Sequence, residues 1–408
     1  MVKIRAFRAI RPKEEYAKEV AALPYDVYSV EEAREEIRRH PKSFLQVDLP
    51  EATIEGDVEG SVNKIGKKHF DRLEEEGIFY REDSPSLYVY ELERDGHKQR
   101  GLMCLASVDD YLDDRIKKHE KTRREKEENR VDHIDTLDAQ TGPIFLTYRS
   151  QESIDELIDE STKKEPLAFT TDDETTHRLW TIDDESIIQK IEENFESLDS
   201  LYIADGHHRS ASAVRVGEMR RKAYGPGNDE TPYNYFMAIV YPSEELKVYD
   251  YNRVVADLNG LTIDELLEKI GENFSVEEET AAVHPREKGE FGMFADGKWY
   301  RLRYKGEAID DVIDGLDVSI LQNFLLAPVL GIGDPRSDER IDFVGGVRGL
   351  KELERRVNED MTIAFSVYPT SLEDLMAVAD AGKVMPPKST WFEPKPRSGL
   401  FIHPLETK

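Results

Sequence analysis

Between Leu201 and Arg221 the sequence passes from the apolar run Leu201-Tyr202-Ile203-Ala204, through Asp205-Gly206-His207-His208-Arg209, into a helical pattern that starts at Ser210. Four consecutive apolar residues bounded by a turn signal read as a buried strand, and such a strand needs neighbours in a sheet and helices to cover it. Gly206 supplies the tight join. A strand that turns directly into a helix makes the chain α/β, with the turn at the carboxyl end of the strand.

The rest of the chain fits a mixed central sheet and a second α+β lobe. At 408 residues the chain exceeds the roughly 250 to 300 at which one core usually divides. Strand patterns at 4–10, 86–92, 101–108, 144–148, 177–182, 236–241 and 246–251 alternate with helical stretches. Ser29 and Glu32 form a capping-box signature for a helix that Pro41 stops, and a second helix around 62–73 ends at Gly77. Asp95-Gly96 marks a hairpin. After about residue 258 the pattern restarts, with a helix at 263–270, a hairpin turning at Asp296-Gly297, an apolar helix at 318–326, a strand at 362–367 and a helix capped by Ser371 and Asp374. The expected domains are therefore 1–258, carrying the Asp205 turn, and 259–408, ending in a wrapping segment.

Composition narrows the function. Lys and Arg number 56 against 85 Asp and Glu, a formal net charge of −29, which repels a nucleic-acid backbone and argues against such a partner. The single cysteine, Cys104, lies in the apolar run 102–106 and reads as a buried, inert thiol. No stretch reaches the 18 or more apolar residues of a membrane span, and Met1-Val2-Lys3-Ile4-Arg5 lacks a signal-peptide core, so a cytoplasmic location is expected. The P-loop, the dinucleotide fingerprint, the zincin motif and the nucleophile elbow are all missing. Homo-oligomerisation stays open.

The Asp205 turn carries the densest chemistry. Unpaired amides at a helix start, the helix dipole and the Arg209 guanidinium suit an anion, phosphate above all. Asp205 can hold Mg²⁺ or orient a histidine, and His207 and His208 can donate to phosphate oxygens or move a proton. The plainer alternative makes Asp205 a helix cap and the histidines solvated. His119-Glu120-Lys121-Thr122 offers a base in Glu120 beside a cation in Lys121, against the alternative of a solvated face or mobile loop in the charged run 113–138. Asp26, in Leu23-Pro24-Tyr25-Asp26-Val27, is a carboxylate near a buried boundary or a turn cap. The proline-rich loop 385–395, with Lys388, lines a pocket or wraps the protein as a tail.

In order along the chain, Pro24-Tyr25-Asp26-Val27, His119-Glu120-Lys121-Thr122, Gly142-Pro143-Ile144-Phe145, His177-Arg178-Leu179-Trp180, Tyr202 to Arg209, and Met385 to Phe392 together resemble domain-of-unknown-function family 1015, from near residue 4 to near residue 404. The Asp-Gly-His-His-Arg turn also resembles the phosphate-binding turn of the ParB/sulfiredoxin-like fold, which includes nucleotide-dependent kinases acting on free L-serine. That resemblance implies a ParB/sulfiredoxin-like element, with Gly206, His207, His208 and Arg209 around nucleotide phosphates and Asp205 near Mg²⁺. ATP or ADP would be the phosphoryl donor and a small hydroxyl compound, L-serine first, the acceptor. On chemical grounds Glu120 or Asp26 would then take the hydroxyl proton, Lys121 would steady the transferring phosphoryl group, and Lys388 would add a phosphate contact. Two rivals accompany this reading: a phosphomonoesterase acting on a substrate such as phosphoserine, and a ParB-like nucleotide-switched binding module.

Overall fold

The computed structural model describes residues 1–56, 61–122 and 124–406, so Arg123 of the charged run lies outside the described residues. The chain forms two compact units, Met1–Leu246 with Pro394–Lys408, and Lys247–Glu393.

In the first unit, nine strands among the described residues share one sheet: β1 Ile4–Arg5, β2 Leu87–Arg94, β3 His97–Ser107, β4 Ile116–Lys117, β5 Ile144–Tyr148, β6 Leu167–Thr170, β7 Thr176–Ile182, β8 Leu201–Asp205 and β9 Tyr235–Pro242. Their order is β4-β8-β5-β9-β3-β2-β7-β6, with β1 added against β3. The sheet is mixed, because β8 runs parallel to β4 and antiparallel to β5, and β5 runs parallel to β9. Asp95 and Gly96 both take positive φ, 51° and 76°, and so turn β2 into β3. Strands β5 and β9 are buried along their whole length, as a sheet covered on both faces requires. Cys104 is fully buried in β3, where desolvation pushes its thiol pKa upward.

Four helices position the site: α1 Leu45–Asp48, α2 Asn63–Glu75, α3 Arg124–Leu137 and α4 His207–Tyr224. The charged run is neither a mobile loop nor a wholly solvated face over α3, because Arg130, Val131, His133, Ile134 and Leu137 are all buried there. Their spacing places them on one side of the helix, and the charges occupy the remainder. Helix α4 starts at His207, three residues before the expected Ser210, because left-handed Gly206 serves as its N-cap and the Ser210 amide already bonds to the Gly206 carbonyl at 2.9 Å.

The main sheet of the second unit has six strands among the described residues, Tyr251–Val255, Phe274–Glu279, Glu290–Ala295, Lys298–Tyr304, Ile341–Gly345 and Ile363–Val367, all paired antiparallel. Helices Ile263–Asn273 and Leu350–Glu359 make it α+β. The apolar helix of 318–326 is an α-helix, Asp317–Leu321, followed by a π-helical turn, Gln322–Leu326.

The unit boundaries differ from a cut at 258. The expected strand 246–251 is two strands: Val248–Tyr249 pairs with Trp391–Phe392, and Tyr251–Val255 pairs with strands of the second unit. The chain then re-enters the first unit at Pro394, where His403–Pro404 pairs with Ala139–Gln140, and Ile402 and Ser398 bridge Ile10 and Ala22. No helix among the described residues is long and apolar enough to cross a membrane.

Candidate functional site

Asp205 closes β8, and the backbone bends at Gly206 with φ 92°. A Cβ there would meet the Arg209 guanidinium at 3.2 Å, so both the backbone angle and the space call for glycine. The helix has no side-chain cap. Its first amides, those of His207, His208 and Arg209, have no acceptor inside the helix, and the positive end of the dipole lies at the turn.

Arg209 donates from Nη1 to the Pro143 carbonyl at 2.7 Å and sets Nη2 3.5 Å from Asp205 Oδ2. Register explains the first contact, because antiparallel pairing of β8 with β5 puts Asp205 opposite Phe145 and so brings Gly142-Pro143 beside the turn. The cation that meets Asp205 most closely is Lys395, its Nζ 2.8 Å from Oδ2. Asp205 Oδ1 accepts from the Gly206 amide at 2.9 Å. Burial pushes the Asp205 pKa upward, but Lys395 and Arg209 outweigh it and hold the carboxyl well below the usual carboxylate range. The carboxylate is thus already engaged by two cations and an amide. Among the described residues no group of three or more His, Cys, Asp or Glu side chains could hold a metal ion. Asp205 as it stands does not fit a resident Mg²⁺, since an incoming ion would have to displace Lys395.

The His119 segment reaches the turn through β4. Parallel pairing sets Leu201 beside Ile116 and Tyr202 beside Lys117, so the residues after Lys117 run alongside the end of β8. The His119 amide donates to His207 Nε2 at 3.4 Å, and the two rings meet edge to face with centroids 4.4 Å apart. With Nε2 accepting, the ring proton of His207 belongs on Nδ1, which faces Glu120 Oε2 at 3.8 Å. Burial, then the neighbouring His119, drives the His207 pKa well down, so the ring is neutral. Burial likewise lowers His119 to about 4, despite the opposing field of Asp205 and a hydrogen bond with the Ile203 carbonyl. Glu120 is more than half exposed. Lys121 is exposed beside it.

Asp26 lies exposed on the 3-10 turn Tyr25–Val27, where its charge is felt by Arg209. Behind it, the Arg130 guanidinium covers the Tyr25 ring at 3.8 Å. Composition gave no hint of the buried cluster beneath: His133 Nε2 and the Thr141 hydroxyl both reach Asp48 Oδ1, at 3.2 and 2.6 Å, and Arg130 donates to the Asp48 carbonyl at 3.2 Å. Arg130 and His133 share a face of α3 with Ile134, but neither is apolar, so the pattern of the sequence did not mark them as buried. His208 is half-buried at the turn. Lys388 belongs to the second unit, where its carbonyl accepts from Arg253 at 3.1 Å and its ammonium lies over the Tyr251 ring. The lysine at the turn is Lys395.

A family model described as protein of unknown function (DUF1015) matches residues 4–319. Among solved structures, a mutant free serine kinase in complex with AMP aligns over 72% of this chain and 87% of its own, at 16% identity and a TM-score of 0.36. A second mutant of that kinase, in complex with ADP, aligns over the same shares at 15% identity and a TM-score of 0.35. SbnI with a C-terminal truncation, from Staphylococcus aureus, aligns over 75% of this chain and 90% of its own at 14% identity and a TM-score of 0.38. No curated protein matches.

Proposed function

The chain belongs to the family DUF1015, and from that premise and the geometry of the turn we propose that it is a nucleotide-dependent phosphotransferase acting on a small hydroxyl compound, with free L-serine the first candidate. One observation carries the reading: a helix start with no side-chain cap, Arg209 beside it, adjoins a carboxylate, Glu120, that faces the Nδ1–H of a buried neutral histidine.

In this reading the nucleotide phosphates, of ATP or ADP, lie against the first amides of α4 and the free N–H groups of Arg209. Asp205, itself held by Lys395, braces that guanidinium and limits the motion that transfer would otherwise have to pay for. Glu120, oriented by His207, takes the acceptor's hydroxyl proton. The acceptor oxygen forms its bond to the terminal phosphorus as the bond to the leaving phosphate oxygen breaks, releasing ADP from ATP or AMP from ADP. Asp26 is the second carboxylate available as base, and Lys121 supplies a mobile cation for the transferring group. The same groups would serve hydrolysis of a phosphomonoester if water replaced the acceptor and no nucleotide were required.

The test is nucleotide titration of the wild type and of Arg209→Ala, with far-UV circular dichroism as the folding control. Loss of the guanidinium should weaken nucleotide binding by about 1.5–3 kcal/mol, the worth of a hydrogen bond to a charged group. Unchanged affinity would remove the phosphate role of the turn.

A further inference from the structure

Beneath the turn lies a cavity of about 40 Å³, lined among others by Tyr25, Arg130, Thr141, Arg209 and Ser398. Arg130 is 8% exposed, and its Nε is buried with no hydrogen-bond partner among the described residues. A buried guanidinium N–H without an acceptor is costly and points to a ligand oxygen. The residue is held in place independently of any ligand, by the Tyr25 ring on one side and the Asp48 carbonyl on the other.

The buried charges indicate what kind of oxygen. Arg130 and Arg209 line the cavity with Asp48, and Lys395 beside the turn is paired with Asp205, which leaves one positive charge over. The nearby histidines do not add to it, since burial lowers the pKa of His133 as it does those of His119 and His207. Asp26, the other carboxylate felt by Arg209, is exposed and screened by water. A surplus of one charge inside a protein of net charge −29 matches a monoanion.

We propose that this cavity seats the carboxylate of the acceptor, with Arg130 as its principal ligand and the hydroxyls of Thr141 and Ser398 on its walls. The acceptor is then a small hydroxy acid or hydroxy amino acid, held by its carboxylate so that its hydroxyl lies toward the turn. This rests on the phosphotransferase reading for the role of the hydroxyl, but not for the binding of the carboxylate.

Calorimetric titration of the wild-type protein with L-serine, glycine, L-lactate and ethanolamine separates the two. The three carboxylates are expected to bind, and ethanolamine, which keeps the hydroxyl and amine of serine without the carboxylate, to bind about ten- to a hundredfold more weakly. Arg130→Lys keeps the charge but loses the fork, and is expected to weaken L-serine by a similar factor while leaving ethanolamine unaltered. Ethanolamine binding as tightly as L-serine, or no binding by any of the carboxylates, would overturn the proposal without recourse to a variant. Phosphoryl transfer to ethanolamine as fast as to L-serine would overturn it while leaving the phosphotransferase standing. Carboxylate binding without transfer from any nucleotide would break the phosphotransferase and leave the carboxylate seat intact.

Discussion

At Gly206 two demands coincide, a φ of 92° and a 3.2 Å approach to Arg209. Gly206→Ala is therefore expected to cost about 1–2 kcal/mol of stability, from a side chain forced into the left-handed region. It should also weaken nucleotide binding by shifting Arg209; a thermal melt and a nucleotide titration read the two effects. The buried histidines set the acid limit of the fold. His119 and His403 are both lowered to about 4 by burial, so between pH 6.5 and about 4 the unfolded chain binds protons that the folded chain does not. Stability thus falls as pH drops through that window, by roughly 3 kcal/mol for each histidine at its lower end. Below it, Asp48 and Asp205, both held under the usual carboxylate range, continue the loss. Urea midpoints at pH 7 and pH 5 check the sign, and a midpoint unchanged between them would contradict it. Part of this was legible: the strand-to-helix turn at Asp205 to Arg209, and Glu120 as a carboxylate beside an imidazole, weighed against a solvated face. Lys395 was not, because only the return of the chain at Pro394 brings it to Asp205.

Among the elements, the two-residue strand β4 does more for the site than its length suggests. Its parallel register with β8 is what carries His119 and Glu120 to the turn. Ile116 anchors that strand and is fully buried. Ile116→Ala should cost about 2–5 kcal/mol of stability and lower turnover more than nucleotide affinity, because it loosens Glu120 and leaves Arg209 on α4. Equal loss in both would deny the strand that role. Strong local signals made most elements readable: the Ser29–Glu32 capping box is present, as is the Asp95-Gly96 hairpin. A strand as short as β4 leaves no periodicity to detect. The charged run of α3 hid its buried face because the buried residues include Arg130 and His133, which an apolar pattern does not count.

For the whole molecule, the second unit has its own core around Phe274, Phe291 and Phe365, whereas the first is completed by residues from the far end of the chain. A fragment 247–393 is expected to melt cooperatively, and a fragment 1–246 to melt well below the full chain, having lost Ile402, Ser398 and Lys395. Equal midpoints for 1–246 and the full chain would contradict this. Sequence patterning could not foresee the division, since the contacts that decide it pair residues hundreds of positions apart. The central claim is phosphoryl transfer at the Asp205 turn, and phosphorus NMR tests it directly: purified protein with Mg²⁺ and L-serine, ATP and ADP in separate tubes, and a parallel tube of phosphoserine without nucleotide. A new phosphoserine signal that depends on nucleotide and disappears with Arg209→Ala is the predicted result. Phosphate released from phosphoserine alone, or spectra unchanged in every tube, would contradict it.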